Sequence, residues 1–278
     1  MVLTKLFADI AKIWAKYKWS YLNGIKNTML LAFIGTVLGC IIGFICGILQ
    51  TIPVSKKDSP IKKAVVYAVR GIIRAYVEIF RGTPMVLQAV FFYYGLSYLT
   101  NGAMNFTDTW ACSIFVVSIN TGAYMAETVR GGILSIDRGQ TEGAKAIGMS
   151  HVQTMLYVIL PQTLRNILPQ IGNNFIINIK DTSVMFIISF TELFAAHRAV
   201  VGATYLYFPS AAVEMVAYLC LTLASSIALR FWERTLAGSS SYLLASNDQL
   251  APAAGTLNHP ESGSNYDERH IETRGGKK

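Results

Sequence analysis

Charged residues and histidines are scarce in this sequence. Only 14% of its 278 residues are charged, whereas 53% are hydrophobic, and an ordinary soluble domain carries roughly 25% charged residues. The apolar residues stand in long blocks, which excludes a water-soluble enzyme and a disordered chain. Because the histidines are scattered and the cysteines form no CxxC pair, neither a metal site nor a disulfide framework is expected.

A phosphate-binding loop of the form GxxxxGK[ST] is also absent from the sequence. The chain is therefore not expected to hydrolyse ATP or to need a cofactor of its own. Its net charge of +8 would suit nucleic acid, but no folded soluble module presents a basic surface. We expect a lipid bilayer, and no nucleic acid, among the partners.

The apolar blocks predict an all-α polytopic membrane protein with five transmembrane helices. A helix rises 1.5 Å per residue, so about 20 apolar residues cross a hydrocarbon core of about 30 Å. Amphipathic helices on the membrane surface are predicted at 1–23 and 64–80, and a disordered tail at 237–278. The spans are predicted at about 28–49, 85–103, 110–128, 171–194 and 211–232.

Glycine recurs at every fourth position of the first span, at Gly35, Gly39, Gly43 and Gly47. These glycines form a ridge without side chains, where a second helix can approach closely. The second helix belongs either to this chain, which we favour, or to a second copy.

Lysine and arginine are more frequent on one side of the five spans than on the other, and the richer side includes residues 130–170. By the positive-inside rule that side is cytoplasmic. The N-terminus is then predicted outside and the C-terminus in the cytoplasm.

The longest loop, residues 130–170, predicts two short helices joined by a turn. Residues 140–147 form the first helix, which Gly148 ends as a left-handed C-cap. Ser150 can cap the second helix, and Pro161 and Pro169 are expected to break the chain beyond it. On these grounds alone the loop is either a helix–turn–helix elbow that docks onto another molecule or a solvated connector.

Residues 142–169, EGAKAIGMSHVQTMLYVILPQTLRNILP, resemble the EAA loop of ABC importer permeases. Gly143 stands where the family has its first alanine, a change that loosens a helix by up to about 1 kcal/mol. Residues 76–88 (YVEIFRGTPMVLQ), 120–133 (NTGAYMAETVRGGI) and 180–183 (KDTS) are similar to the polar amino-acid uptake permeases. The positions that match the EAA pattern are Glu142, Gly143, Ala144, Gly148, Leu160 and Pro161.

This resemblance implies a type I importer permease domain over residues 24–236, in a prokaryotic inner membrane. It implies a second permease, as a copy or a paralogue, and an extracytoplasmic amino-acid-binding protein. It also implies cytoplasmic ATP-binding subunits that contact the loop, coupled through Glu142, Gly143, Ala144 and Gly148.

Polar residues inside the spans are candidates for the substrate path, because an unpaired ion at the membrane centre is costly. Their alternative role is to hydrogen-bond one helix to another. Lys180 and Asp181 are about 100° apart on a helix and cannot easily pair, so each needs its own partner or an unwound backbone. Glu127 and Arg130 are expected to brace the loop. The candidate path residues are Asn120, Tyr124, Asn178, Lys180, Asp181 and Glu214.

The sequence therefore predicts the permease subunit of an ATP-driven importer of polar amino acids. One alternative is an ion-coupled carrier, although such carriers usually show repeated halves and this chain shows none. Another is an importer of a different small polar solute. A membrane-embedded enzyme is disfavoured because the histidines are scattered.

Overall fold

The computed structural model describes residues 2–56 and 58–237, and every regular element within them is a helix. The all-α prediction is confirmed for these residues, whereas the predicted tail from residue 238 onward lies outside them. The helices are α1 (Val2–Thr51), α2 (Pro60–Gly82), α3 (Met85–Val90), α4 (Leu96–Leu99), α5 (Thr109–Leu134), α6 (Arg138–Ala146), α7 (His151–Gln153), α8 (Leu160–Asp181), α9 (Leu193–Thr204) and α10 (Tyr207–Ala237).

The first helix is continuous through the predicted boundary between residues 1–23 and the first span. Its N-terminal half is held by packing, since Ile13 and Tyr21 are buried against α9. Residues 2–23 are therefore not a separate element, although they remain candidates for the membrane interface.

Among the described residues, two helices are long and apolar enough to cross a membrane, α1 and α10. The helical run His151–Ile188 meets Leu193–Thr204 at a bend of 52° and adds a third if the pair is one span. The predicted second span corresponds to the shorter run Met85–Leu99, and the third to α5, which is not among these candidates. Length and composition therefore do not confirm five spans.

The glycine ridge of α1 packs against α5 of the same chain. Each glycine faces a residue 82 positions later in the chain, so the two helices are parallel. A Cβ atom on Gly39 would lie 2.6 Å from the Cβ of Thr121, and one on Gly47 would lie 2.6 Å from Cγ1 of Val129. This contact confirms the intrachain alternative for the ridge. The facing pairs are Gly35 and Val117, Gly39 and Thr121, Gly43 and Met125, and Gly47 and Val129.

Helix α2 runs antiparallel along α5 and packs one of its faces in the helix bundle. Its residues Ile73 and Val77 pack with Ala126. The Tyr76 hydroxyl donates to the carbonyl of Ile119, and the Asn120 side chain donates to the carbonyl of Phe80. The apolar stripe of α2 therefore faces the helix bundle.

The prolines after the elbow do not break the chain, contrary to the expectation from the sequence. A proline lacks the N–H and clashes with the carbonyl four residues earlier. Residues Thr154–Ile159 form wide π-helical turns immediately before Pro161, which lies in the first turn of α8. Pro169 lies inside α8. The helical run therefore continues to Ile188.

The helix changes its winding directly after the adjacent charges of Lys180 and Asp181. Residues Thr182–Ile188 form a 3₁₀-helix, and Ser189 is left-handed with φ 64°. Helix α1 contacts the far side of this break. The Asn27 side chain donates to the carbonyl of Thr191 at 2.6 Å, and the Thr28 hydroxyl accepts from the Leu193 N–H at 3.2 Å.

Candidate functional site

The loop between α5 and α8 folds as two capped helical segments, which we call the elbow (residues 137–159). The Asp137 side chain caps α6 by accepting from the N–H of Gly139. At the other end Gly148 is left-handed with φ 85°, and the Met149 N–H donates to the carbonyl of Ala144. The predicted glycine C-cap is confirmed, and its position requires a residue that tolerates positive φ.

The second segment begins with a reciprocal capping box. The Ser150 hydroxyl accepts from the backbone N–H of Gln153, and the Gln153 side chain accepts from the backbone N–H of Ser150. The predicted Ser150 cap is therefore confirmed. The elbow is also tied to α8, because the Gln162 amide donates to the side-chain oxygen of Gln140 at 3.2 Å.

The outer face of the elbow is exposed and partly apolar. Ala144 is buried, whereas Glu142 and Gly143 are exposed, and a Cβ atom on Gly143 would meet nothing within 4 Å. We call the exposed apolar residues beside them the elbow face. It consists of Ile147 (80% exposed), Val152 (63%), Leu156 (53%) and Tyr157 (73%).

Basic groups border the elbow face. Partial desolvation of the His151 imidazole, with the charges of Lys145 and Lys62, lowers its pKa below the ordinary 6.5. The elbow therefore already presents positive charge before this histidine is protonated.

Two of the candidate path residues are buried and hydrogen-bonded inside the chain. The Asn120 amide bonds to Gln88 and to the Phe80 carbonyl, both at 3.1 Å. The Asn178 amide donates to the hydroxyls of Thr36 at 2.8 Å and Thr121 at 3.0 Å. The first joins α5 to the break between α2 and α3, and the second joins α8 to α1 and α5.

Glu214, a third candidate, belongs to a separate buried cluster near the break at Glu192. Its carboxylate lies 3.7 Å from Nδ1 of His197, which in turn lies 2.8 Å from the Ser210 hydroxyl. The Ser210 hydroxyl is 2.7 Å from that of Tyr21 on α1. This cluster holds α9 and α10 to the N-terminal half of α1.

Sequence reasoning missed Glu192, which is fully buried. Its carboxylate accepts from the N–H groups of Phe194 and Ala195 at the start of α9 and from the Tyr218 hydroxyl. The available signal was a glutamate near the end of the apolar block at 171–194, where a helix N-cap accepts an acidic side chain well.

The remaining candidates, Tyr124, Lys180 and Asp181, are exposed or half-buried. Lys180 and Asp181 form no ion pair within the described residues. Tyr124 lies beneath Arg81, whose guanidinium carbon is 5.3 Å from the ring centre. No side-chain hydrogen bond or ion pair in the described ranges joins any two of the six candidates.

Two further charged residues lie beside Tyr124 and Arg81. Glu127 accepts from Arg130 at 3.1 Å, so the expected pair forms, and its same oxygen lies 3.9 Å from Arg81. The side chains of Arg81, Glu127 and Arg130 are between 34% and 43% exposed. We call Arg81, Tyr124, Glu127 and Arg130 the inner polar cluster.

Known proteins share both the sequence and the architecture of this chain. The glutamine transport system permease protein GlnP of Escherichia coli K12 is 33% identical over 215 residues, which cover 77% of this chain and 92% of that protein. The octopine transport system permease protein OccM of Rhizobium radiobacter is 31% identical, covering 71% and 77% of the two chains.

A solved structure shows the same fold. The crystal structure of an amino acid ABC transporter with histidines superimposes with a TM-score of 0.68 at 31% identity, over 80% of this chain and 96% of that one. Residues 64–238 match the family described as the binding-protein-dependent transport system inner membrane component. This chain belongs to that family of transport permeases.

Proposed function

We propose that this permease forms the membrane path of an ATP-driven importer of polar amino acids. The names of its relatives, which specify glutamine and amino acid transport, support the substrate class. Another small polar solute is the alternative, since one relative is named for octopine. ATP is bound and hydrolysed by a separate subunit in this proposal.

The observation that carries the coupling mechanism is the exposed elbow face. Both elbow segments have satisfied caps and are tied to α8, yet large apolar side chains such as Ile147 and Tyr157 remain in the open. Exposed apolar residues clustered on an ordered element favour a protein partner. We assign that partner as the ATPase, with Glu142, Gly143, Ala144 and Gly148 forming or shaping the contact.

Helix directions support five crossings of the membrane. Helices α1 and α5 are parallel, so the chain between them, α2 with α3 and α4, returns once across the membrane. Gly172 approaches Leu229, whereas Glu192 meets Tyr218, so α10 runs antiparallel to the chain that leads from α8 to the start of α9. The second crossing then includes α2, and it is interrupted at Thr83 and Pro84.

The same directions support the orientation proposed from basic residues. If the elbow is cytoplasmic, the parallel pair α1 and α5 puts the N-terminus outside, and α10 ends in the cytoplasm. An inner-membrane location, a second permease and an extracytoplasmic binding protein complete the proposed assembly.

The substrate path, in this proposal, passes the exposed candidates Tyr124 and Lys180 and the half-buried Asp181. The buried candidates Asn120, Asn178 and Glu214 already have partners on other helices. For these three we propose a role in holding the helices at fixed distances along the path.

Reconstitution tests this function. Proteoliposomes that contain the permease, its ATPase and its binding protein should take up a polar amino acid only when ATP is present. Uptake by the permease alone, driven by an ion gradient, would favour the secondary carrier instead.

Variants at the elbow test the docking surface. Glu142→Ala and Gly143→Arg should reduce the amount of ATPase that co-purifies by about ten-fold and leave the yield of inserted permease unchanged. Gly202→Arg on α9 is the matched control, because a side chain there also meets nothing within 4 Å and α9 packs against the N-terminal half of α1, away from the elbow. Equal co-purification of the ATPase with all three variants would contradict the assignment.

A further inference from the structure

A buried cluster of titratable side chains joins α9 and α10 to α1, and the proposed transport assigns no role to its charges. Nδ1 of His197 lies 2.8 Å from the Ser210 hydroxyl and 3.7 Å from a carboxylate oxygen of Glu214. The Ser210 hydroxyl lies 2.7 Å from that of Tyr21. His197, Ser210 and Tyr21 are at most 1% exposed, and Glu214 is 8% exposed. We call these four residues the junction cluster.

Glu214 is the member of the junction cluster whose charge is not compensated. It makes no side-chain hydrogen bond within residues 2–56 and 58–237, and its 3.7 Å separation from the imidazole exceeds the length of a hydrogen bond. The charge of Glu192 also acts on it, so an ionised Glu214 is repelled by a second carboxylate. A buried carboxylate with neither a hydrogen bond nor a counter-ion is costly.

Glu192 is also buried, but its charge is compensated. Its carboxylate accepts from the N–H groups of Phe194 and Ala195 and from the Tyr218 hydroxyl. These three hydrogen bonds, together with the N-terminal end of α9, stabilise a negative charge. Glu192 can therefore stay ionised, and the cost of the repulsion falls on Glu214.

The other titratable or charged groups around the junction cluster keep a constant charge between pH 5 and 7. Arg198 on α9, whose charge acts on His197, is always protonated. Tyr207, whose ring centre lies 5.3 Å from that of the imidazole, and Tyr218 on α10 are neutral in this range, as is Tyr21. The proton that can be gained or lost is therefore shared by His197 and Glu214.

We propose that His197 and Glu214 together form a binding site for one proton, and that this proton holds α9 and α10 against α1. With the proton on the imidazole the two residues form an ion pair, and with the proton on Glu214 both are neutral. Either arrangement leaves no net charge on the buried pair. Loss of the proton leaves a buried carboxylate beside that of Glu192, which weakens the contact between the helices.

The proton site would make transport sensitive to the pH outside the cell. Tyr21 lies on the N-terminal half of α1, which the proposed orientation puts on the outer side of the membrane. Acid on that side favours the protonated pair and so keeps the outer ends of α9 and α10 closed on α1. This regulation rests on the proposed function, whereas the proton site itself does not.

Thermal unfolding of the purified permease in detergent tests the proton site. An unfolded glutamate releases its proton near pH 4.3, so above pH 5 the unfolded chains of the wild type and Glu214→Gln bind equal numbers of protons. The folded wild type binds one proton more, because the imidazole in Glu214→Gln has no carboxylate beside it. A fold that binds more protons loses stability as the pH rises. From pH 5 to 7, Glu214→Gln should therefore gain on the wild type by about 3–5 °C in Tm per pH unit.

Two features make this comparison decisive. Glutamine has the size and shape of glutamate, and Glu214 makes no hydrogen bond that the amide would break, so the variant keeps the fold. Glu142→Gln is the matched control, because Glu142 is exposed on the elbow and forms no ion pair in the described residues. The Tm difference between this control and the wild type should not change with pH. A constant difference for Glu214→Gln as well would mean that Glu214 only braces the helices, which would overturn the proposal.

Uptake into proteoliposomes tests the regulation. The vesicles carry the ATPase and ATP inside and the binding protein outside, with the internal pH held constant. Since Glu214→Gln resembles the protonated pair, the ratio of wild-type to Glu214→Gln uptake should rise as the external pH is raised from 5 to 7. A ratio that does not change with pH would refute the regulation. Absence of ATP-dependent uptake by the wild type at every pH would refute the proposed function and the regulation with it, and the Tm comparison would still decide the proton site.

Discussion

The close contact between α1 and α5 makes a quantitative prediction at Gly43. In Gly43→Ala the new Cβ would lie 2.8 Å from the carbonyl carbon of Met125 and 3.0 Å from the N of Ala126. These are backbone atoms, so they cannot turn aside as a side chain can. Carbon atoms pack at about 3.5–4.0 Å, and the two helices must therefore separate by about 0.5–1 Å at this point.

The energetic cost follows from that separation. A gap of about 0.5–1 Å forfeits a quarter to a half of the attraction between atoms that face it, and overpacking typically costs about 1–3 kcal/mol. Replacing glycine by alanine also stabilises any helix, by up to about 1 kcal/mol. The control Gly71→Ala isolates this second effect, because its Cβ meets nothing within 4 Å.

Thermal unfolding of the two variants in detergent measures the difference. Since the helix-propensity gain is common to both, Gly43→Ala should be less stable than Gly71→Ala by about 1–3 kcal/mol. That difference corresponds to about 2–4 °C in Tm for each kcal/mol. Equal Tm values for the two variants would refute the tight packing of α1 on α5.

Two other changes test the polar contacts. Asn178→Ala should lower the free energy of unfolding by about 1–3 kcal/mol, because it leaves the buried Thr121 hydroxyl without its partner. Chemical denaturation measures this difference. Thr222→Val is the control, since the Thr222 hydroxyl bonds only within α10. His151 should titrate below pH 6.5, and removing a positive neighbour in Lys145→Gln should raise its pKa, which NMR titration detects. Because the pKa of His151 is lower in the folded protein, the contribution of this residue to the free energy of unfolding is lost as the pH falls from 6.5 through the folded pKa. An unchanged His151 pKa in Lys145→Gln would contradict the charge effect.

Local signals in the sequence predicted the elbow and the glycine ridge well. Gly148 and Ser150 act through backbone geometry within a few residues, so their roles are visible without knowing the fold. The four-residue spacing of Gly35, Gly39, Gly43 and Gly47 predicted a close contact between two helices. The family resemblance identified the class of protein.

The path residues were harder to predict because their roles depend on distant partners. Asn120 and Asn178 stand in apolar spans, where a polar side chain can bind substrate or another helix, and their hydrogen-bond partners Gln88 and Thr36 come from other helices. Arg81 and Glu127 meet across two helices from widely separated sequence positions. Periodicity places such residues on one face of a helix, yet it does not say which helix lies opposite.

The parallel pairing of α1 and α5 connects the elbow to the opposite end of α1. Helix α5 leads into the elbow, and four glycine contacts fix its register on α1. The other end of α1 holds the backbone break through Asn27 and Thr28, about 30 Å away along the helix axis from Gly47. We therefore expect a displacement of α5 at the elbow to be carried by α1 to Thr191 and Leu193, at the other end of α1.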